Sequence, residues 1–169
     1  KASIDNEELN QIRSVLESKN DLSKVLEFEE SMRNFVGAKY AVATATSTAA
    51  IHLALSAIKL KRGDKILMSV NSFVNVPEVV RHFDAEPIFI DINMEDMNID
   101  VNKFEEAFAA NDSKKLRGAI ITFVAGQAPD LDRLYDIAKK YGIILIEDCR
   151  SSLGGTYIGK KIGNLRADI

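Results

Sequence analysis

The chain has 169 residues, of which 46% are hydrophobic and 28% are charged, as in an ordinary soluble globular protein. This length suffices for one domain with a buried core. The 22 Lys and Arg residues against 25 Asp and Glu residues give a formal charge of −3. That balance argues against a nucleic-acid-binding protein, which is usually basic with clustered charge. Cys149 is the only cysteine, so the chain forms neither an intrachain disulfide nor a cysteine-cluster metal site.

The first residues lack the apolar core of a signal peptide. Residues 40–58 carry no Lys, Arg, Asp or Glu, but polar residues such as Thr44, Ser47 and His52 interrupt the stretch. We therefore predict a buried strand, turn and helix there and no membrane span. These features lead us to expect a cytoplasmic protein.

Two amphipathic helices open the chain, from about Asn6 to Ser18 and from about Leu22 to Phe35, the second ending near Gly37. We assign residues 1–36 to these helices and residues 37–169 to an α/β sheet region. Five apolar runs then predict strands: Tyr40–Thr44, Lys65–Ser69, Pro87–Asp91, Gly118–Phe123 and Ile143–Asp148. Helical patterns separate the runs: Thr48–Ile58, Asn71–Phe83, Val101–Ala110 and Asp130–Tyr141.

This alternation predicts an α/β fold with a mostly parallel sheet and helices on both faces. Pro77 must lie in the first turn of its helix to be tolerated, and Asp100 is the expected cap of the next helix. The glycine-rich tail from Gly154 to Gly163 predicts a loop or hairpin.

Polar residues follow the predicted strands at the sheet edge where ligands bind in open α/β folds. The turn Thr46-Ser47-Thr48 could hold a phosphate on free N–H groups at a helix start, but ordinary Ser/Thr capping gives the same pattern. Asp148 could face a cationic ligand group, and from spacing alone helix capping is the more frequent role.

Two further residues near this edge have alternative roles. Phe73 could lie flat against a planar ligand, although most aromatic residues at such positions belong to the core. Cys149 follows an acid that would raise its thiol pKa, so we interpret it as structural. His52 and His82 are far apart in sequence, so we expect no metal site.

Together these segments resemble the DegT/DnrJ/EryC1/StrS family of PLP-dependent sugar aminotransferases. The resemblance runs from about Phe28 to Ile169. It rests on the segments Phe28–Glu30, Gly37–Val42, Ser47–Leu55, Gly63–Asp64, Ala85–Asp91, Gly126–Gln127, Ile146–Asp148, Gly154–Lys160 and Asp168–Ile169.

The resemblance implies a role for each candidate residue. Ser47 and Thr48 would hold the phosphate of pyridoxal 5'-phosphate (PLP), and Phe73 would lie against its ring. Asp148 would pair with the protonated ring nitrogen, which keeps the ring an electron sink. Ser151 would lie near the ring hydroxyl. Ser47 departs from the family pattern, which has glycine at that position.

The resemblance also implies the incomplete large domain of an aspartate-aminotransferase-type (fold type I) enzyme. The expected function is transfer of an amino group from an amino acid to a nucleotide-linked keto sugar, in a homodimer. The Schiff-base lysine is expected beyond Ile169, so we expect the 169 residues alone to be inactive and to contain no catalytic residue. Two alternatives stay open: a PLP-dependent sugar dehydratase of the same family, and a non-catalytic α/β module that binds phosphate or a partner.

Overall fold

The computed structural model describes residues 4–18, 22–111 and 114–169. The chain divides into two units, residues 1–43 and residues 44–169. The first unit contains α1 (Asn6–Glu17) and α2 (Ser23–Val36), which confirms the two predicted helices. Asp5 and Glu8 form a capping box at the start of α1, and α2 ends at Gly37 in the left-handed region.

The predicted strand Tyr40–Thr44 is wrong, because these residues pair with no strand in the described chain. The N–H of Ala43 donates instead to the carboxylate of Glu29 at 2.8 Å. Tyr40 and Val42 are 74% and 66% exposed. An apolar run predicts a strand only where a neighbouring strand takes up its backbone N–H and C=O groups.

The second unit is built on a four-stranded parallel sheet. Its elements in chain order are α3 (Ser47–Ala57), β1 (Lys65–Ser69), α4 (Asn75–His82), β2 (Glu86–Ile90), α5 (Val101–Ala110), β3 (Leu116–Thr122), a 3₁₀ turn (Val124–Gly126), α6 (Leu131–Tyr141), β4 (Ile144–Asp148), β5 (Thr156–Tyr157) and β6 (Lys160–Lys161). The strand order is β2-β1-β3-β4. The other four predicted strands, the parallel sheet and the tail hairpin are thus confirmed.

Helices cover both faces of this sheet. On one face, α3 and α4 bury residues such as Leu55 and Val79 against Met68 of β1 and Ile146 of β4. On the other face, α5 and α6 bury their apolar stripes against the alternate strand residues, such as Leu145. β1, β3 and β4 are largely buried on both sides, which explains their continuous apolar sequences, whereas the outer strand β2 is only partly buried and its Phe89 is 52% exposed.

The chain leaves β1 for β2 on one side and later returns to place β3 on the other side. The crossover helix α4 lies on one face of the sheet and α5 on the other. The strand order therefore reverses between β1 and β3. A crevice for ligands opens at the carboxyl ends of strands at such a reversal.

Asp168 and Ile169 lie beside β4, where their backbone groups bond to those of Leu145 and Glu147. The Asp168 carboxylate also accepts from the N–H of Leu145 at 3.0 Å. These bonds use part of the free edge of β4. None of the helices in residues 4–18, 22–111 and 114–169 has the length and apolarity that a membrane crossing demands.

Candidate functional site

Asp148 ends β4 on the face that α3 and α4 cover. Ile146, two residues earlier, packs into the core of that face, so the alternation of the strand places Asp148 on the same side. Its side chain is only 5% exposed. Burial of a carboxylate requires a partner of opposite charge or several hydrogen bonds.

Arg150 is the charged partner of Asp148. Its Nη2 donates to Oδ2 of Asp148 at 3.0 Å, and its Nη1 donates to Oγ of Ser47 at 2.9 Å. The same guanidinium lies 5.5 Å from the ring centroid of Phe73, in cation–π range. One side chain therefore connects three of the residues predicted for the site.

Asn75 joins a fourth predicted residue to this group. It is 6% exposed at the start of α4, and its Nδ2 donates to the hydroxyl of Thr48 at 3.0 Å. Its Oδ1 accepts from Arg150 at 3.5 Å, which is a weak contact. Pro77 lies in the first turn of this helix, as predicted. The start of α4 thus holds the start of α3 in place.

The capping interpretation holds for Thr46 but for neither Ser47 nor Thr48. The Thr46 side chain accepts from the N–H of Ala49 at 3.1 Å and caps α3. The Ser47 hydroxyl accepts from Arg150, and the Thr48 hydroxyl accepts from Asn75. Both hydroxyls therefore stand in the first turn of a helix, where N–H groups and the helix dipole attract anions.

Asp148 does not act as a cap either, because its carboxylate accepts from no backbone N–H in the described part of the chain. Asp91, which also follows an apolar strand, behaves differently: its carboxylate is 61% exposed and pairs with Lys103. The two acids look alike in sequence. Only Asp148 is buried beside other polar groups of the sheet edge.

Phe73 is 64% exposed, so the core interpretation of this residue is wrong. Ser151 lies in the turn after β4 and is exposed, and no side-chain hydrogen bond in the described residues links it to the other four. Its carbonyl oxygen lies against Gly126, where an added Cβ would come within 2.8 Å of it. The role of Ser151 near a ring hydroxyl stays a prediction.

Thr122 is an additional polar residue of the site. It ends β3 and is in register with Asp148. Its hydroxyl is buried and has no hydrogen-bond partner within the described residues. A buried hydroxyl without a partner at a ligand-binding edge is suited to a bound molecule that supplies one.

Cys149 and Glu147 flank Asp148 but differ from it in environment. Burial, together with the charges of Glu147 and Asp148, raises the pKa of the Cys149 thiol to about 11. Burial also raises the pKa of Glu147, which accepts a hydrogen bond from the Tyr135 hydroxyl on the opposite face of the sheet. The thiol is protonated at neutral pH, which agrees with a structural role.

Sequence reasoning did not identify Arg150, Asn75 or Thr122. Arg150 carried one signal, since a cation two residues after a buried acid can pair with it. Asn75 is a polar residue between Val74 and Val76 at a helix start, which also marks an unusual environment. Neither signal says which other elements the side chain reaches.

The fold and the site define a class of protein: an open parallel α/β sheet with a helix start suited to an anion and a buried acid at its carboxyl edge. A model of the DegT/DnrJ/EryC1/StrS aminotransferase family matches residues 2–169, and the chain belongs to this family. The resemblance found in the sequence motifs is thus confirmed.

Individual relatives extend this comparison. The spore coat polysaccharide biosynthesis protein SpsC of Bacillus subtilis is 32% identical over 96% of this chain and 41% of its own length. The UDP-2-acetamido-2-deoxy-3-oxo-D-glucuronate aminotransferase of Pseudomonas aeruginosa is 33% identical over 84% of this chain and 38% of its own.

Solved structures show the same fold. GDP-4-keto-6-deoxy-D-mannose-3-dehydratase from E. coli, solved with bound hydrated PLP, is 26% identical and matches with a TM-score of 0.85. The match covers 96% of this chain and 43% of that chain. The chain therefore spans about two fifths of the length of these relatives. The predicted fold, part of a fold-type-I PLP-dependent transferase large domain, is confirmed.

Proposed function

We propose that the protein to which this chain belongs is a PLP-dependent aminotransferase that moves an amino group from an amino acid to a nucleotide-linked keto sugar. The observation that carries the proposal is the convergence of Asp148, Phe73 and the Ser47-Thr48 helix start at one sheet edge. The family membership and the named activities of the relatives support the substrate class.

The residues fit PLP at both of its ends. The helix start with Ser47 and Thr48 suits the phosphate, since it offers N–H groups, hydroxyls and a positive dipole end. Asp148 suits the ring nitrogen, and the exposed face of Phe73 suits the ring. The unpartnered Thr122 hydroxyl offers one more polar contact at the same edge.

Bound PLP supplies an electron sink for the negative charge that develops next to the transferred nitrogen. The residues of this chain would bind and orient the cofactor for this chemistry. Asp148 would hold a proton on the ring nitrogen, because a buried carboxylate favours a cation beside it. Phe73 would lie against the ring, and the start of α3 would hold the phosphate.

The full-length protein tests the proposal when it is incubated with PLP, nucleotide-linked keto sugars and ¹⁵N-labelled amino acids. We expect mass spectrometry to find an amino sugar that carries ¹⁵N, and we expect Asp148→Ala to abolish the product. Glu105→Gln, an exposed acid on α5, is the matched control and leaves the yield unchanged. Full activity of the Asp148→Ala variant would contradict the assignment.

A sugar dehydratase is the second candidate, because the E. coli relative with 26% identity has that activity in its name. The same experiment separates the two reactions. An aminotransferase leaves the ¹⁵N label in the sugar, whereas a dehydratase yields a sugar that has lost a hydroxyl group and gained no nitrogen.

A further inference from the structure

Arg150 makes the contacts that the proposed function assigns to the cofactor. Its guanidinium donates to the acid expected at the ring nitrogen, Asp148, and to the hydroxyl expected at the phosphate, Ser47. It also lies 5.5 Å from the ring of Phe73, which is the expected ring contact. A planar cation is thus bound where a planar, protonated ring is expected.

We propose that Arg150 is an internal occupant of the cofactor site, which competes with PLP for Asp148, Ser47 and Phe73 and has to leave before PLP binds. The inference rests on the proposed function, since it takes the contacts of the cofactor from there.

The energetic reason is the burial of Asp148. A carboxylate that is 5% exposed is costly without a countercharge, and Arg150 supplies one in the free chain. A protonated ring nitrogen would supply the same charge. The two cations repel each other at close range, and the guanidinium also holds Ser47 and lies near the Phe73 ring, so its position opposes binding of the cofactor ring.

The geometry lets Arg150 leave. Its side chain is 33% exposed, so solvent is already in contact with it, whereas Asp148 is held in β4. Without the cofactor, the site is therefore occupied by the side chain of Arg150. The apparent affinity for PLP then equals the intrinsic affinity multiplied by the fraction of molecules in which Arg150 has left the site.

The test uses the full-length protein and pyridoxine 5'-phosphate, which lacks the aldehyde and so reports the non-covalent contacts alone. Calorimetric titration of Arg150→Ala is expected to show binding about tenfold tighter than wild type, the gain from a charge-assisted hydrogen bond that no longer has to break. Arg117→Ala is the matched control, because Arg117 pairs with Asp64 at the amino end of the strands. It leaves the affinity unchanged.

Asp148→Ala removes the shared partner. In that background, adding Arg150→Ala is expected to bring no further tightening, because the pair is already broken. If Arg150→Ala binds the probe equally or less tightly while wild type binds it, the internal-occupant inference is overturned and the proposed function stands. If neither protein binds the probe, both are overturned.

Titration with inorganic phosphate tests whether Arg150 instead binds the phosphate group. Weaker phosphate binding by Arg150→Ala would make Arg150 a phosphate ligand and overturn the inference. Where Arg150→Ala does not fold, Arg150→Gln, which keeps a donor for Asp148 without the charge, is expected to tighten binding by a smaller factor. If that variant also fails, the ¹⁵Nε resonance of Arg150 in the wild-type protein must shift on saturation with the probe. An unchanged resonance overturns the inference.

Discussion

Nη2 of Arg150 lies 3.0 Å from Oδ2 of Asp148, but the two side chains are unequally buried: Arg150 is 33% exposed and Asp148 is 5% exposed. Loss of either residue therefore has different consequences for the cofactor-free protein. Without Arg150, a buried carboxylate loses its countercharge. Without Asp148, the guanidinium turns to solvent.

We expect Arg150→Ala to lower the free energy of unfolding of the cofactor-free full-length protein by about 2 kcal/mol, and Asp148→Ala to lower it by about 1 kcal/mol or less. Urea unfolding with both variants and the double variant measures the difference. Equal losses, or a larger loss for Asp148→Ala, would show that the carboxylate does not depend on the guanidinium.

Asn75 holds the Thr48 hydroxyl at 3.0 Å from a buried position on α4. Asn75→Ala leaves that hydroxyl without its donor, and we expect a loss of about 1–2 kcal/mol in unfolding free energy together with weaker PLP binding. Asn102→Ala is the control: its exposed amide oxygen accepts from Arg133, and we expect a loss of about 0.5 kcal/mol or less. Equal losses would count against a role for Asn75 at the site.

Gly126 contacts the turn that carries Ser151. Its φ is +85°, and an added Cβ would meet the Ser151 carbonyl oxygen at 2.8 Å. Gly142 also has a positive φ, of +66°, but its Cβ would meet no atom within 4 Å. Both alanine variants lose about 1–2 kcal/mol of unfolding free energy, because a residue with a Cβ is strained at positive φ. We therefore expect Gly126→Ala to unfold at a lower denaturant concentration than Gly142→Ala; the reverse order would show that the turn adapts freely.

Glu147 makes stability depend on pH. Burial raises its pKa above the ordinary 4.5, although the Tyr135 hydrogen bond opposes this in part. The folded state then holds the proton more tightly than the unfolded state. Its contribution to stability is complete below pH 4.5 and falls as pH rises through the raised pKa.

Glu147→Gln removes this titration, so the melting temperature of the variant relative to wild type is expected to increase with pH above 4.5. Glu105→Gln is the control. The hydrogen bond and ion pair with Lys140 lower the pKa of Glu105, so the melting temperature of this variant relative to wild type is expected to change with pH in the opposite direction. Thermal melts at a series of pH values measure both. If the difference in melting temperature between Glu147→Gln and wild type does not change with pH, the pKa of Glu147 is not raised by burial.

Cys149 is expected to react slowly. Raising its thiol pKa from 9.0 to about 11 lowers the thiolate fraction near neutral pH about 100-fold. Peptide mass spectrometry after iodoacetamide treatment should show about 100-fold slower alkylation at Cys149 in the folded protein than in the urea-unfolded protein. Equal rates would show that the thiol is neither buried nor disfavoured by the adjacent acids.

The central fold could be predicted from the sequence because buried parallel strands have continuous apolar runs. Lys65–Ser69 and Ile144–Asp148 are clear examples. Tyr40–Thr44 has the same composition and forms no strand, since the neighbour that would pair with it cannot be deduced from the run itself. Tyr40 and Val42 are also exposed, so an apolar run by itself determines neither the pairing nor the burial of its residues.

The candidate site could be predicted only in part. The position of Asp148 follows from the end of β4, but spacing could not distinguish it from Asp91. The decisive difference, a guanidinium from two residues later that reaches to the start of α3, is a contact across 103 residues of sequence. Such long-range contacts of flexible side chains have no periodic signal.

The pleat of β4 separates Glu147 from Asp148. Glu147 points to Tyr135 on α6, and Asp148 points to the opposite side, where α3 and α4 lie. Two neighbouring acids of nearly identical chemistry thus have different partners by geometry alone. Insertion of one residue within β4 would reverse their directions and place the wrong acid at the crevice. The register of β4 against β3 therefore determines the site as much as any of its side chains does.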